Sequence, residues 1–335
     1  MNTEILPAHT PELFQKAVRR AAELLRAGQV IALPTETVYG LAANALDAQA
    51  VAKIFEIKAR PSANPVIVHV ADLPMAKRCA RDFPPLAEQL AKAFWPGPLT
   101  LVLPRAEAIP KIVTAGGETV GIRWPSHPLI QAVIRECGFP LAAPSANLSN
   151  QISPTNAAHV QKQLHGKVPV IVDGGQSAVG IESSVLDLTV TPPQILRPGM
   201  IHAESFAAAG MPVVAHGLPS GTGAFKSPGQ LKKHYSPKAK LLVLNWSSED
   251  ELKSKIQNLK FKTQNCHVIA YAGIPSGGPF AHVSVIPHDA EAFARAIYAE
   301  LHRCDEEGAQ VIVVEAPPVA PEWSGIADRL RRAAA

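Results

Sequence analysis

The sequence lacks several features that would assign it to a common functional class. Aromatic residues make up only 5% of the 335 residues, which disfavours a base-stacking nucleic-acid surface. The charge balance is mild, with 32 Lys and Arg against 28 Asp and Glu and a net charge of +4. This excess is too small for a nucleic-acid coat, but it permits a local cationic pocket for an anion.

Cysteine pairs and targeting segments are also missing. The four cysteines contain no C-x-x-C pair, so we predict free, buried thiols in a reducing compartment rather than zinc ligands or disulfides. The N-terminal "MNTEILPAHT" has neither the basic nor the apolar region of a signal peptide. No apolar run reaches the roughly 18 residues of a membrane helix. We therefore expect a cytoplasmic protein without membrane association.

Well-known catalytic motifs are absent as well. The chain has no Walker A sequence, no H-E-x-x-H and no G-x-S-x-G. What it has instead is a hydrophobic fraction of 47%, enough for a sizeable core, and 31 prolines. Proline at this level indicates many fixed turns.

Short apolar runs alternate with helical patterns over the first part of the chain. The stretch "HTPELFQKAVRRAAELLRAGQ" is typical of an amphipathic helix, with Thr10 as N-cap, Pro11 at the first position and Gly28 as the stop. A strand at Val30 leads into a polar loop, and further strand and helix patterns follow. This alternation predicts an α/β domain with a mixed sheet, which we assign to residues 1–207.

The periodic pattern ends near Ala207. Residues 208–239 are rich in Gly, Pro and Ser and are interpreted as a linker. Strand–helix units resume over 240–335, which predicts a smaller, Rossmann-like domain with a parallel sheet. This part has no G-x-G-x-x-G, so nothing marks it as a dinucleotide site.

Polar side chains cluster where predicted strands and helices end. Lys58 and Arg60 follow a helix and precede a proline turn; they either complement the helix dipole or bind an anion. Arg123 lies inside an apolar strand, so it faces either an anionic ligand or an internal ion pair. His69, within a Val-rich strand, is a ligand or a satisfied core histidine.

Hydroxyl groups accompany these cations. Thr35 and Thr37 follow the strand at Val30, and Ser145 and Ser153 lie within "PSANLSNQIS". That loop lines a ligand site, or caps the next helix through Thr155 or Asn156, or does both. A cationic, hydroxyl-rich constellation suits phosphates together with a small carboxylate.

The ordered stretches "LPTETVYGLAANA", "KARPSANPVIVHV", "WPGPLTLVL", "GIRWPSHP", "PLAAPSANLSNQISPT", "ESSVLDL" and "ILRPGMI" resemble the motifs of the YrdC-type threonylcarbamoyl-AMP synthases. The linker's "KKHYSPKAKL" is similar to a segment of the long, two-domain form. The resemblance covers essentially the whole chain. One departure is "KAR" in place of the commoner Lys-Gly-Arg. Because Ala59 favours φ below zero, we expect this turn to differ slightly.

The resemblance implies a YrdC-like twisted mixed sheet with helices on both sides, followed by the smaller parallel domain. It also implies a nucleotidyltransferase that forms L-threonylcarbamoyladenylate and pyrophosphate from L-threonine, bicarbonate or CO2, and ATP. The catalytic residues would be Lys58 and Arg60. The residues expected around L-threonine are Thr37, His69, Arg123, Ala143 and Ser183. Those expected to hold ATP are Arg60, Asn64, Thr119, Ser145, Ser153, Arg197 and Tyr235, the last folding back from the linker.

Mg²⁺ is expected with ATP, without a dedicated set of protein ligands. The expected partners are threonylcarbamoyl-transferring proteins that modify adenosine in tRNAs reading codons that begin with A, with weak or indirect tRNA association. Three alternatives compete with this interpretation. They are an RNA-binding module without catalysis, a carbamoyl-transfer component like that of hydrogenase-maturation proteins, and a nucleotide sensor that does not turn ATP over.

Overall fold

The computed structural model describes residues 2–211, 213–215, 226–228, 234–276 and 278–335. The chain forms two compact units, Met1–Ser149 with Ser153–Gln230, and Asn150–Ile152 with Leu231–Ala335. Part of the predicted linker 208–239, namely residues 212, 216–225 and 229–233, lies outside the described residues. Within those ranges no helix is both long and apolar enough to cross a bilayer. The four cysteines are free and buried, as predicted.

The first helix forms where the sequence predicts it. The Thr10 hydroxyl accepts the Leu13 N–H at 3.3 Å, and Pro11 opens the helix where no N–H is needed. Its buried stripe packs into the core and consists of Ala17, Val18, Ala21, Ala22 and Leu25. Gly28 follows the helix at φ 67°, a left-handed conformation that favours glycine.

The first unit is built on one mixed sheet. In chain order its elements are β1 (Glu4–Pro7), α1 (Pro11–Arg26), β2 (Ile31–Leu33), β3 (Gly40–Asn44), α2 (Ala48–Lys58), β4 (Val68–His69), α3 (Leu73–Cys79), α4 (Pro85–Phe94), β5 (Leu99–Pro104), β6 (Thr119–Arg123), α5 (Pro128–Cys137), β7 (Leu141–Ala142), α6 (Ala157–Leu164), β8 (Val170–Asp173), β9 (Ser184–Asp187), β10 (Gln194–Arg197), α7 (Ala203–Ala208) and β11 (Val214–Ala215). The strands lie in the order β1-β8-β2-β3-β7-β4-β6-β5-β9-β10-β11. Parallel and antiparallel pairs both occur, so the predicted mixed sheet is confirmed.

The sheet places the predicted site residues on neighbouring strands. In β4 and β6, which are parallel, His69 lies directly opposite Arg123. On the other side of β4, Leu141 of β7 is opposite His69. The register therefore makes His69 and Arg123 neighbours, and β4 and β7 are shorter than the strands that the sequence predicts there.

Strand β3 occupies residues that the sequence assigns to a polar loop. It runs antiparallel to β2, with Gly40 opposite Leu33. A Cβ on Gly40 would lie 3.2 Å from the Ala143 Cβ, so the absence of a side chain lets the next strand approach closely. The polar loop is thereby shortened to residues 34–39.

The second unit is a smaller parallel sheet with its own core. Its elements are β12 (Lys240–Leu244), α8 (Glu249–Asn258), β13 (Cys266–Ala270), β14 (His282–Val285), α9 (Ala290–Glu306), β15 (Val311–Glu315) and α10 (Ser324–Ala333). The strand order is β12-β15-β13-β14, and every neighbouring pair is parallel. This confirms the predicted Rossmann-like class. Helix α10 is not predicted from the sequence.

Candidate active site

The loop between β2 and β3 is buried and rigid. The Thr35 hydroxyl donates to Val38 O at 2.6 Å and lies 2.9 Å from the Thr37 hydroxyl. Backbone N–H groups of Val179 and Gly180 donate to Glu36 O and Thr37 O at 2.7 and 3.1 Å. These hydrogen bonds therefore fix the orientation of the polar side chains of the loop.

Arg123 is held by this loop. Its Nη1 donates to the Thr37 hydroxyl at 2.9 Å, its Nε donates to Gly97 O at 3.3 Å, and its Nη2 lies 2.7 Å from Glu36 Oε1. Both charged side chains are buried, with 4% and 7% exposed. Burial alone would raise the pKa of Glu36, but the Arg123 charge and hydrogen bonds lower it below its ordinary value. The structure thus shows the internal ion pair among the two alternatives for Arg123.

This ion pair does not use up the guanidinium. Arg has five N–H donors. The three nitrogens of Arg123 contact Thr37, Gly97 and Glu36, one residue each. Each contact takes one N–H group, so one N–H group on Nη1 and one on Nη2 are not used by these contacts. A small carboxylate can therefore still be bound.

His69 is the second incompletely satisfied group at this position. It is 3% exposed, and its Nδ1 has no hydrogen-bond partner in the part of the chain that the structure describes. Burial, with the nearby Arg123 charge, lowers the pKa of His69 to about 3. The imidazole is therefore neutral at pH 7, and a buried nitrogen without a partner indicates room for a polar ligand.

Hydroxyl groups form a second cluster at the start of β9. The Ser183 hydroxyl is 2.8 Å from that of Thr100, and Arg197 Nη2 donates to it at 3.0 Å. Arg197 Nε also donates to Ser183 O at 3.0 Å. Ala143, which directly follows β7, is buried at 6% exposure and carries only a methyl group. A hydrogen bond thus connects Thr37 to Arg123, and the strand register places Arg123 opposite His69. Separate hydrogen bonds connect Ser183 to Arg197.

Lys58 ends α2 and links it to the loop of residues 145–149. Its Nζ donates to Ser145 O, to Asn147 O at 2.5 Å and to Asn147 Oδ1 at 3.2 Å. Complete burial, reinforced by the Arg60 charge and opposed by Glu182, holds its pKa well below the ordinary lysine value. Lys58 therefore does more than complement the helix dipole, because it fixes a loop that the sequence predicts to bind ATP.

The turn after Lys58 contains an unusual alanine. Ala59 has φ 50° and ψ 47°, which is the left-handed region, whereas the sequence leads us to expect negative φ. The reason is local hydrogen bonding, since its N–H donates to Glu56 O and the next N–H, of Arg60, donates to Phe55 O. The turn thus keeps the conformation that glycine favours.

The remaining predicted nucleotide residues lie on several elements of the first unit. Arg60 donates from Nε to Asn64 O at 3.0 Å and from Nη2 to Pro65 O at 2.7 Å. Ser153 donates to Glu182 Oε1 at 2.5 Å. The other three lie at separate positions: Asn64 is buried, Thr119 begins β6, and Ser145 bridges Gly40.

Tyr235 lies in the second unit. Its ring is 1% exposed, stacks on Tyr298 at 5.9 Å and has the Arg329 guanidinium carbon 5.4 Å from its centroid.

Of the helix-capping alternatives for residues 145–156, Asn156 is the cap, because its side chain accepts the His159 N–H at 2.9 Å.

Two buried carboxylates are absent from the predicted set. Glu36 pairs with Arg123, and Glu182 accepts from Ser153. The only signs of them in the sequence are a glutamate between two threonines after a buried strand and a glutamate directly before Ser183. Neither pattern distinguishes an inward from an outward carboxylate without the fold.

Comparison with known proteins assigns the family. Residues 23–199 match the family model described as "Telomere recombination", and residues 201–335 match that of the "Threonylcarbamoyl-AMP synthase, C-terminal domain". The threonylcarbamoyl-AMP synthase of Pyrococcus abyssi is 40% identical over 322 residues, covering 94% of this chain and 93% of the relative. That of Bacillus subtilis is 42% identical over 339 residues, covering 99% and 95%.

The chain belongs to the threonylcarbamoyl-AMP synthase family. The crystal structure of Pyrococcus abyssi Sua5 complexed with L-threonine matches it with a TM-score of 0.90 and 36% identity, over 100% of this chain and 98% of that one. The predicted two-domain form of a YrdC-type synthase is confirmed, and with it the prediction of a nucleotidyltransferase.

Proposed function

We propose that this synthase forms L-threonylcarbamoyl-AMP and pyrophosphate from L-threonine, bicarbonate or CO2, and ATP, with the residue roles described below. The observation that carries the proposal is the buried Arg123, held between Thr37 and Glu36 and opposite His69 in the sheet, whose Nδ1 has no hydrogen-bond partner among the described residues. The Pyrococcus abyssi relative, whose structure contains L-threonine, supports the same substrate here.

The threonine substrate would satisfy the incompletely bonded groups. Its carboxylate would bind the remaining N–H groups of Arg123, because a guanidinium fork matches a carboxylate. Neutral His69 and the Ser183 hydroxyl would bind its other polar atoms, and the small Ala143 would leave space for its methyl group. Thr37, already bonded to Arg123, would line the same pocket.

The chemistry requires two steps. The threonine amine attacks CO2 and loses a proton to give an N-carboxylate. A carboxylate oxygen then attacks the α-phosphorus of ATP, the bond to the β-phosphate oxygen breaks, and pyrophosphate leaves. Because such transfers depend on positioning and charge stabilisation, Lys58, Arg60 and Arg197 would act by fixing the loops and offsetting charge on the phosphates.

Other residues would complete the nucleotide site. Asn64, Thr119, Ser145 and Ser153 would contribute hydrogen bonds to ATP, and Tyr235 would close over it. The reactive N-carboxylate hydrolyses readily, so a closing segment would protect it from water. The second unit would then serve to hold that segment.

Mg²⁺ would accompany ATP. Among the residues that the structure describes, no group of three or more His, Cys, Asp or Glu side chains is arranged to hold a metal ion. The phosphates would therefore supply most of the ligands, and Glu182 is a buried carboxylate whose charge acts on Lys58 and which accepts a hydrogen bond from Ser153. The ion would offset phosphate charge in the transfer.

The product would pass to proteins that transfer the threonylcarbamoyl group to adenosine in tRNAs reading codons that begin with A. Tight tRNA binding by this chain is not required for that. We expect these reactions in the cytoplasm.

The test is pyrophosphate release by the purified chain with ATP, bicarbonate and Mg²⁺, comparing L-threonine, L-serine and no amino acid. We expect threonine-dependent release and an adenylate product with the mass of threonylcarbamoyl-AMP. Arg123→Lys should lower kcat/KM for threonine by about 100-fold or more, because the bidentate contact is lost.

Arg105→Lys is the matched control. Arg105 is also partly buried and donates to Ile109 O at 2.7 Å, but it contacts none of the proposed threonine residues in the contacts that the structure shows. Its kcat/KM should stay near the wild-type value. ATP binding without threonine-dependent turnover would refute the proposal in favour of a nucleotide sensor, and salt-sensitive tRNA affinity without turnover would favour an RNA-binding module.

A further inference from the structure

The segment His234–Ser236 has an uncommon backbone conformation. Tyr235 has φ 64°, a left-handed value that L residues other than glycine rarely adopt. Such conformations persist only where the surroundings fix them, and they concentrate at functional sites. The surroundings of Tyr235 within the second unit are therefore informative.

Backbone hydrogen bonds hold the segment from both ends. The His234 N–H donates to Arg332 O at 3.1 Å, and the Ser236 N–H donates to Asn150 O at 2.9 Å. Asn150 itself has φ 68° and follows directly on the loop of residues 145–149. One bond therefore ends on helix α10, and the other on a residue that is continuous in sequence with the proposed ATP loop.

The Tyr235 ring is enclosed by charged and aromatic groups. It stacks on Tyr298 with an interplanar angle of 28°, and the His234 ring meets it edge-on at 4.0 Å. Arg329, 1% exposed, lies over the ring with its guanidinium carbon 5.4 Å from the centroid. A cation over an aromatic face attracts it, more strongly where water is excluded.

Asp328 fixes that cation. Its carboxylate lies 3.0 Å from Arg329 Nη1, 2.6 Å from Arg331 Nη2 and 2.9 Å from Arg332 Nε. A buried guanidinium requires such a partner. Helix α10 thus contributes both the cation that touches Tyr235 and the carbonyl that binds the His234 N–H.

We infer that Arg329, oriented by Asp328, is a positioning residue that fixes the Tyr235 ring and backbone for closure over the nucleotide. This inference rests on the proposed function for its effect on ATP. It assigns to the last helix of the chain a part in nucleotide handling. Arg329 acts through Tyr235 and not on the reacting atoms.

The test compares Arg329→Met, Arg329→Lys and Arg303→Met in the full chain. Arg303→Met is the matched control, since Arg303 is also ion-paired to acidic residues, Glu300 and Glu307, on helix α9. We measure KM for ATP, KM for threonine, and hydrogen exchange of the His234 and Ser236 amides. Exchange does not depend on activity.

We expect Arg329→Met to raise KM for ATP and the exchange of both amides by about tenfold, with KM for threonine within about twofold. Arg329→Lys, which keeps the cation, should recover much of both effects, and Arg303→Met should change neither. If Arg329→Met leaves either KM for ATP or exchange at the wild-type value, or if Arg303→Met has equal effects, the inference is overturned. Absence of threonine-dependent turnover in the wild type would instead refute the proposed function, and the exchange result would still decide whether Arg329 positions the segment.

Discussion

Replacing Ala59 by glycine should stabilise the first unit. Ala59 is exposed, ends helix α2 and has φ 50°. A Cβ in this conformation is strained, while glycine adopts it freely. The substitution also restores the Lys-Gly-Arg pattern that is commoner in the family, and it leaves Lys58 and Arg60 unchanged.

The magnitude is the difference of two opposing effects. Relief of the left-handed conformation contributes about 1–2 kcal/mol. The greater freedom of glycine in the unfolded chain costs about 0.4–1 kcal/mol. We therefore expect Ala59→Gly to raise the free energy of unfolding by about 0.5–1 kcal/mol. The melting temperature should rise by about 2–4 °C for each kcal/mol.

Ala27→Gly provides the matched control. Ala27 is also exposed and ends helix α1, but it has φ −79°. Glycine relieves no strain there, so the free energy of unfolding should fall by about 0.5–1 kcal/mol. Urea unfolding followed by tryptophan fluorescence, to which Trp95 and Trp124 of the first unit contribute, compares both variants. If Ala59→Gly destabilises as much as Ala27→Gly, the left-handed strain at Ala59 does not exist and the reasoning is wrong.

Three further substitutions test the site. Glu36→Gln removes one charge of the buried pair and should lower the free energy of unfolding by about 3 kcal/mol. L-threonine should then raise the melting temperature more in this variant than in the wild type, because its carboxylate can replace Glu36 beside Arg123. Equal increases in melting temperature would contradict binding of the carboxylate at Arg123. His69 has a folded pKa of about 3, below its ordinary value, so the unfolded chain binds more protons and stability falls as pH drops from 6.5 towards 3. In urea titrations, His69→Gln should flatten this dependence by up to about 1.4 kcal/mol per pH unit, and an unchanged slope would contradict the shift. Gly199→Ala would place a Cβ 2.6 Å from the Ser184 N, so we expect the free energy of unfolding to fall by about 1–3 kcal/mol and turnover to decrease. Thermal melting and pyrophosphate release measure these two effects. Wild-type values for both would contradict the close contact.

The sequence predicts elements best where capping residues and periodicity agree. Helix α1 has Thr10, Pro11 and Gly28 at its ends and a clear apolar stripe, and it begins and ends where these residues indicate. The repeated strands and helices after Lys240 likewise predict a parallel sheet. Strand β3 is missed because the residues before it are polar and one of its two partners, β7, is distant in sequence.

The active-site motifs are also readable in the sequence, since they bring hydroxyls and cations to the ends of buried strands. Their partners are not. The pairing of Arg123 with Glu36 joins residues far apart in the chain, and so does the contact of Lys58 with Asn147. The residues next to a position in the sequence do not indicate which distant residues will contact it in the fold.

The sequence by itself thus determined the α/β class, the family resemblance and the chemical character of the site, because periodicity, capping and residue type are local properties. Only the tertiary structure decided that Glu36 pairs with Arg123, that Ala59 adopts a left-handed turn, and that Arg329, paired with Asp328, lies over the Tyr235 ring. Each of these depends on which groups burial brings together, and a buried charge or strained residue takes its partners from whatever the fold places beside it.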